Sequence, residues 1–241
     1  MIQQRTPLQQ RRELNEIIQT TLNLYGQNFS LFFRVAAVVI PLGIASGIFQ
    51  TITNQTAAVT IVGVIAVGQL AVNLLSSAAI IAALDDIGAG RAPDFSRAYD
   101  AAFSRFWSLA GAVLRVLFHV LLFTITIVGI PWAIQRFVRW LFVEQAIILE
   151  GAIAKEALSR SADAVIGSWW RTFGIWLLVS ILAGVLVGVV AAVVALAPVA
   201  IASTVNAVMD ALVLPFVVIA TTLLYFDLKA RKESHGLASP A

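Results

Sequence analysis

Two stretches of this chain, 57–84 and 172–197, run for more than twenty residues without one charged side chain. About 20 apolar residues in helical form cross the roughly 30 Å hydrocarbon layer of a bilayer. Nothing else in the sequence narrows its possible folds as much. Barrel strands, the other structure that satisfies its backbone in lipid, alternate apolar and polar residues over about 10 positions. The runs here are continuous, so helices are expected. Composition agrees: 12% of residues are charged and 60% hydrophobic, against roughly a quarter charged in soluble domains.

Hydropathy windows of about 19 residues predict six spans, at 29–51, 57–84, 107–128, 131–149, 172–197 and 203–226. Only residues 129–130 separate the third from the fourth, which holds Arg136, Arg139 and Glu144, so a re-entrant or strongly tilted element is the alternative over 107–149. The basic residues orient them. Arg5, Arg11 and Arg12 precede the first span, and Arg91, Arg97 and Arg105 separate the second from the third. Lys155, Arg160 and Arg171 separate the fourth from the fifth, and Lys229, Arg231 and Lys232 follow the sixth. These are twelve of the sixteen cationic residues. The opposite connections, 52–56, 129–130 and 198–202, hold none. The positive-inside rule then puts both termini in the cytoplasm. The net charge of +3 is explained by this orientation and by contact with anionic lipid headgroups, so lipids are the expected partners and nucleic acid is not.

Each basic segment ahead of an odd span reads as an amphipathic helix with apolar residues at three- and four-residue spacing. The stripes are Leu14, Ile17, Ile18, Thr21, Leu22 and Tyr25; then Phe95, Ala98, Tyr99, Ala102, Phe103 and Phe106 behind the N-cap Asp94; then Ala154, Ala157, Leu158, Ala162, Val165 and Ile166. Arg12, Glu13, Glu16 and Gln19 are expected on the polar face of the first, and Lys155, Glu156, Arg160 and Asp163 on that of the third. The joints into the spans match: Tyr25 and Phe29, Phe103 and Trp107, Ile166 and Trp170 are each four apart. Every even span closes on an acid followed by bases: Asp85 and Asp86 before Arg91, Glu150 before Lys155, Asp227 before Lys229. The expected architecture is one all-α membrane domain over 1–241. It comprises six transmembrane helices and three cytoplasmic-side amphipathic helices that lie at the headgroup boundary, in three parallel repeats at about 8–86, 87–150 and 151–232. A polar tail, 233–241, is expected to be disordered.

The segment 14–42, the run Val-Glu-Gln-Ala-Ile-Ile-Leu-Glu-Gly at 143–151, Ala-Leu-Ser-Arg-Ser at 157–161, Trp-Trp-Arg at 169–171 and the ending 224–233 together resemble the membrane domain attached to some bacterial glycerophosphodiester phosphodiesterases. Related stand-alone membrane families of unknown function share these features. The resemblance implies six spans in a bacterial plasma membrane and no catalytic residues. The phosphodiesterase activity of such proteins belongs to a separate soluble barrel.

Ionisable residues at membrane depth are costly and are functional candidates by default. At 1.5 Å per residue, Arg34, Arg115 and Glu144 fall roughly 8–12 Å inside the cytoplasmic edge, with His119 deeper, a common depth that permits a cluster. Asp210 and Arg136 fall about 7–11 Å from the outer edge, with Arg139 one turn deeper, a second possible pairing. The plainer reading locks helices together by such pairs and lets Arg34 and Arg136 snorkel to headgroups. The sharper one makes Arg34 and Arg115 the positive lining of a cavity for an anionic or lipid-like solute.

No zinc-protease, nucleophile-elbow, Walker or dinucleotide-binding motif occurs, and cysteine is absent. Neither catalysis, cofactor nor metal is therefore expected, since Asp210 would have to act without a partner acid. The polar first 25 residues predict no signal peptide. The pairs Gly43/Gly47 and Gly184/Gly188 allow close helix approach and are expected to pack within the molecule. Pro41 and Pro215 favour kinks. The sequon at Asn54 sits too close to the membrane to count. The expected role is a non-enzymatic, membrane-organising or accessory domain; the alternative is a transporter or lipid-handling protein.

Overall fold

A computed structural model of the chain describes residues 8–49, 55–125 and 129–236. Arg5, the Asn54 sequon, the end of the expected third span at 126–128 and the tail beyond 236 lie outside the described residues. Among these residues the regular structure is all helix, with no strand. Five helical stretches are long and apolar enough to cross a membrane: Phe29–Phe49, Gly63–Gly88, Phe106–Thr124, Trp169–Val194 and Val199–Glu233.

The first of these is bent. Helix α2 (Phe29–Ala36) tightens into a 3-10 turn at Ala37–Val39 before α3 (Ile40–Phe49) begins. Pro41 has no N–H to offer the carbonyl of Ala37, and Ile40 N–H takes that carbonyl instead. Helices α4 (Gln55–Gly88) and α6 (Phe106–Thr124) follow as long single elements. The expected span at 131–149 is instead two short helices, α7 (Ile130–Arg139) and α8 (Val143–Glu150), separated by a turn at residues 140–142. The break leaves backbone groups to be satisfied, and one serine meets two of them. Phe142 N–H donates to Ser161 Oγ at 3.1 Å, and Ser161 Oγ donates to the carbonyl of Arg139 at 2.8 Å. Helices α10 (Trp169–Val194) and α11 (Val199–Gly236) complete the set of long elements, α11 continuing through Pro215.

The amphipathic helices form where the spacing predicts: α1 (Leu14–Gln27), α5 (Phe95–Ser104) and α9 (Ala154–Val165). Asp94 caps α5 by accepting from Arg97 N–H at 3.0 Å. Their setting differs from the expected flat placement, because each packs against a neighbouring helix. Helix α5 returns along α4, tied at Asp86 by Arg97 (3.2 Å) and about two to three turns higher at Ser76 by the Tyr99 hydroxyl (2.9 Å). Helix α9 packs on α8, with Arg160 at Glu150 and Ser161 at Phe142. Helix α1 lies along α11: Arg12 N–H donates to Asp227 at 2.8 Å, and the Tyr25 hydroxyl donates to the Leu212 carbonyl at 2.9 Å. Those two partners are roughly 22 Å apart along a helix. The apolar stripes therefore pack on protein, and Ile17, Thr21, Ala98, Ala102 and Ala157 are fully or almost fully buried. Arg12, expected on the polar face, is buried too, since its carbonyl accepts from Arg171 and Arg231. Left-handed Gly90 (φ 71°) and Gly151 (φ 68°) make the reversals after α4 and α8, a conformation that a side chain disfavours.

This packing puts the core at the end of the molecule where the basic residues gather, called here the basic end. Ala78, Ile80, Ile81 and Leu84 of α4 and Ile219, Leu223 and Leu224 of α11 are sealed there. Toward the opposite end the same helices and α10 present bare apolar side chains, from Val64 and Val67 to Val193 and Leu196. Trp107 and Trp170 stand exposed at the starts of α6 and α10. Of the glycine pairs, Gly43 and Gly47 meet α11 so closely that an added Cβ would come within 2.9 Å of the Ala207 Cβ and 2.1 Å of the Ser203 Oγ. Gly184 and Gly188 face open space, contrary to the packing expected of them.

Candidate functional site

The ionisable residues expected to cluster are scattered over different faces. Arg34, on α2, is exposed and donates from Nε to the Ser30 carbonyl of its own helix at 3.1 Å. Arg115, on α6, does the same toward Gly111 (2.9 Å). One turn on, His119 Nδ1 lies 2.7 Å from the Arg115 carbonyl. The polar tips thus bond to local backbone on an apolar surface. Among the described residues no ion pair joins Arg34 or Arg115 to Glu144.

The second expected grouping also divides. Arg136 stacks over the Trp140 ring at 5.6 Å, a cation–π geometry, and His119 meets the same ring edge-on at 5.3 Å. Trp140 therefore joins His119 of one expected set to Arg136 of the other. Arg139 contributes the carbonyl that Ser161 caps. Asp210 instead borders a hollow of about 540 Å³ with Ser46, Ser203 and Asn206, in which neither arginine takes part.

Glu144 sits on the first turn of α8, where the α7–α8 break turns it inward. It accepts a short hydrogen bond from the Ser77 hydroxyl of α4. It also lines a cavity of about 320 Å³ whose other polar groups are Asn73, Gln145 and Thr221, with Trp176 from α10 and aliphatic side chains completing the wall. Gln145 donates to Thr222 Oγ1 at 3.4 Å, while its own Oε1 is buried with no hydrogen-bond partner in the structure.

The strongest electrostatic organisation lies at the basic end, around three carboxylates. Asp86 receives Arg91 (2.7 Å) and Arg97 (3.2 Å). Glu150 receives Lys229 (2.7 Å), Arg160 (3.1 Å) and the Tyr225 hydroxyl. Asp227, wholly buried, receives Arg231 (2.9 Å), Arg171 (3.2 Å) and the Arg12 N–H. Each acid ends one long run and holds the amphipathic helix packed on that run. Asp86 holds α5, Glu150 holds α9 and also meets α11 through Lys229 and Tyr225, and Asp227 reaches back to the start of α1. Burial alone would raise the Glu150 carboxyl, but hydrogen bonds from Lys229, Tyr225 and Arg160 outweigh it and hold the group below its ordinary value.

The three acids were visible in the sequence as closing residues, although Lys155, the base nearest Glu150, is not its partner. Ser161, Ser77 and Tyr225 were missed. A serine inside an amphipathic stripe, such as Ser161 in the α9 repeat, was the one available signal. Among the described residues no three His, Cys, Asp or Glu side chains are grouped to hold a metal ion. No family model, curated protein or solved structure matches this chain.

Proposed function

We propose that the chain is a six-crossing membrane protein without catalytic activity, a scaffold that organises the bilayer around a rigid collar at its basic end. The observation that carries this is the set of three carboxylates at the basic end. Each ties an amphipathic helix to a neighbouring helix, and Asp227 links the first segment of the chain to the last.

The sixth crossing is α7 and α8 taken together. Three contacts along α6 support it: His119 beside Trp140, Val113 in one cavity wall with Leu141 and Glu144, and Arg105 beside Gly151. These follow each other in antiparallel order, as a returning crossing requires. The break near Trp140 is then tolerable because Ser161 satisfies it, since irregular backbone survives in a membrane where protein buries it. The correspondence of Asp86 and Glu150, each followed by an amphipathic helix, and of Asp227, which holds the amphipathic helix α1, supports the threefold repeat. The exposed apolar belt suits lipid, with Trp107 and Trp170 at its interface as in other membrane proteins. By the positive-inside rule the basic end is cytoplasmic. The resemblance to the membrane domain of bacterial glycerophosphodiester phosphodiesterases favours a bacterial plasma membrane and a non-catalytic role. A transporter for anionic solutes needs Arg34 and Arg115 in a cavity with Glu144, and they are outside it.

The chain has no cysteine, which makes single-cysteine labelling a direct test. Cysteines placed at Ala92, Ser168 and Lys232 should react with an impermeant maleimide in inside-out vesicles alone, and one at Ala197 in right-side-out vesicles alone. A mixed pattern among the first three would overturn the topology. Uptake of an anionic solute into proteoliposomes, lost in Arg34→Ala and Arg115→Ala, would replace the scaffold with a transporter.

A further inference from the structure

The cavity behind Glu144 has a chemistry of its own, apart from the collar. We infer that it binds a small organic cation, an ammonium carried on a short apolar body, with the Glu144 carboxylate as its counter-charge.

The balance of donors and acceptors is what selects the charge. A carboxylate offers about four lone-pair sites, and Glu144 uses one, toward Ser77. That hydroxyl is shared, since the Leu74 carbonyl lies 3.1 Å from it as well. Gln145 adds a buried carbonyl oxygen without a partner. Thr221 spends its proton on the Val217 carbonyl at 2.9 Å and keeps its lone pairs. Among the described residues no lysine, arginine or histidine lines the cavity, and Arg115 on the adjacent helix is turned back onto Gly111. The wall thus sets a half-buried acid with no cation beside it among the amide of Asn73 and the acceptor oxygens of Gln145 and Thr221. A carboxylate withdrawn from water without a counter-charge takes up a proton, so a cationic guest is what would hold this one in its charged form.

The remaining wall selects the body of the guest. Trp176 offers an aromatic face, which attracts cations, and the rest is leucine and valine. A bare metal ion fits poorly, because hard cations take six or more oxygen ligands and a single carboxylate stands here. Ligand pockets run from about 300 to 1,000 Å³, and about 320 Å³ is at the small end. That is room for roughly ten waters at about 30 Å³ each, or for a molecule of comparable size.

The test uses the full chain in neutral-detergent micelles. Butylammonium, butan-1-ol and butyrate are titrated while tryptophan emission, to which Trp176 contributes, and the unfolding temperature are followed. Butylammonium should bind saturably and at least tenfold more tightly than butanol, butyrate should not bind, and Glu144→Gln should abolish the preference. Equal binding of butanol and butylammonium would overturn the inference, because Glu144 would then be neutral in a merely apolar hollow. So would preference for butyrate, or unchanged butylammonium binding in Glu144→Gln. Should that variant fail to fold, the three-ligand comparison on the unaltered chain decides alone. The topology rests on cysteine labelling, so either result leaves it standing.

Discussion

Helices α10 and α11 are neighbours, both apolar enough to cross a membrane, yet their surroundings differ sharply. In the most apolar window of α10 only 6% of residues are buried in protein, against 56% for α11. Helix α11 runs through the centre, packed by α1, α3, α4 and α10, whereas α10 covers one flank. Hydropathy reports that neither helix belongs in water. Which of them is the core is set by where the small residues and the closing acids lie: Gly43 and Gly47 draw α3 onto α11, and Asp227 draws α1. The more hydrophobic partner is thus the peripheral one, as expected where lipid is as apolar as leucine and packing, not hydrophobicity, associates helices.

Substitutions that treat the two helices alike should break this contrast if it is wrong. The largest effect is expected at Asp227. Removing a buried carboxylate that holds Arg171, Arg231 and the Arg12 N–H strands its partners, and losing one member of such a buried pair costs about 3–5 kcal/mol. Asp227→Ala should lower stability in denaturant titrations by that much, while Asp210→Ala, at an exposed position of the same helix, should change it little. Next comes Leu223→Ala, fully buried in α11, at about 2–5 kcal/mol for a core truncation. Its counterpart Leu186→Ala, exposed on α10, should stay within about 0.5 kcal/mol. Equal losses from the two would show that α10 is packed in solution against something else.

The glycine pairs sharpen the same point at a smaller scale. Gly43→Val would drive methyl groups into Ala207 of α11, and overpacking of this kind costs about 1–3 kcal/mol. A Cβ added at Gly188 meets nothing within 4 Å, and Gly188→Ala should not lower the melting temperature. A loss at Gly188 instead would reveal a contact that a single chain does not make.

Sequence alone made the helices legible, and the reason is physical: apolar length and charge segregation are local properties. The N-cap at Asp94, the three amphipathic stripes and the closing acids were readable for the same cause. Their partners were not. The stripe of α1 is equally suited to headgroups or to α11, and only the position of Asp227, more than two hundred residues away, decides. The candidate cluster failed similarly. Equal depth put Arg34, Arg115 and Glu144 together, but depth leaves azimuth free, and the arginines face outward while Glu144 faces Ser77. The break at 140–142 was hinted at by the charges within 131–149, yet the residue that makes it affordable, Ser161, belongs to another element.

The smallest expected effect concerns pH and distinguishes the collar from the exposed belt, which has few groups to titrate. The Glu150 carboxyl is held below its ordinary value of 4.5, so its bonds to Lys229, Arg160 and Tyr225 contribute their full stability above that value. The contribution is lost as pH falls through the lower native value, because the unfolded chain takes up the proton first. The difference in melting temperature between the unaltered protein and Glu150→Gln should therefore be constant from pH 6 to pH 8 and shrink below about 4.5. Arg34→Gln, whose guanidinium bonds only to its own helix carbonyl among the described residues, should show no such pH-dependent difference. A Glu150→Gln difference that widens in acid would mean that the carboxyl is held above its ordinary value, and that burial rather than the ring of cations governs this corner of the collar.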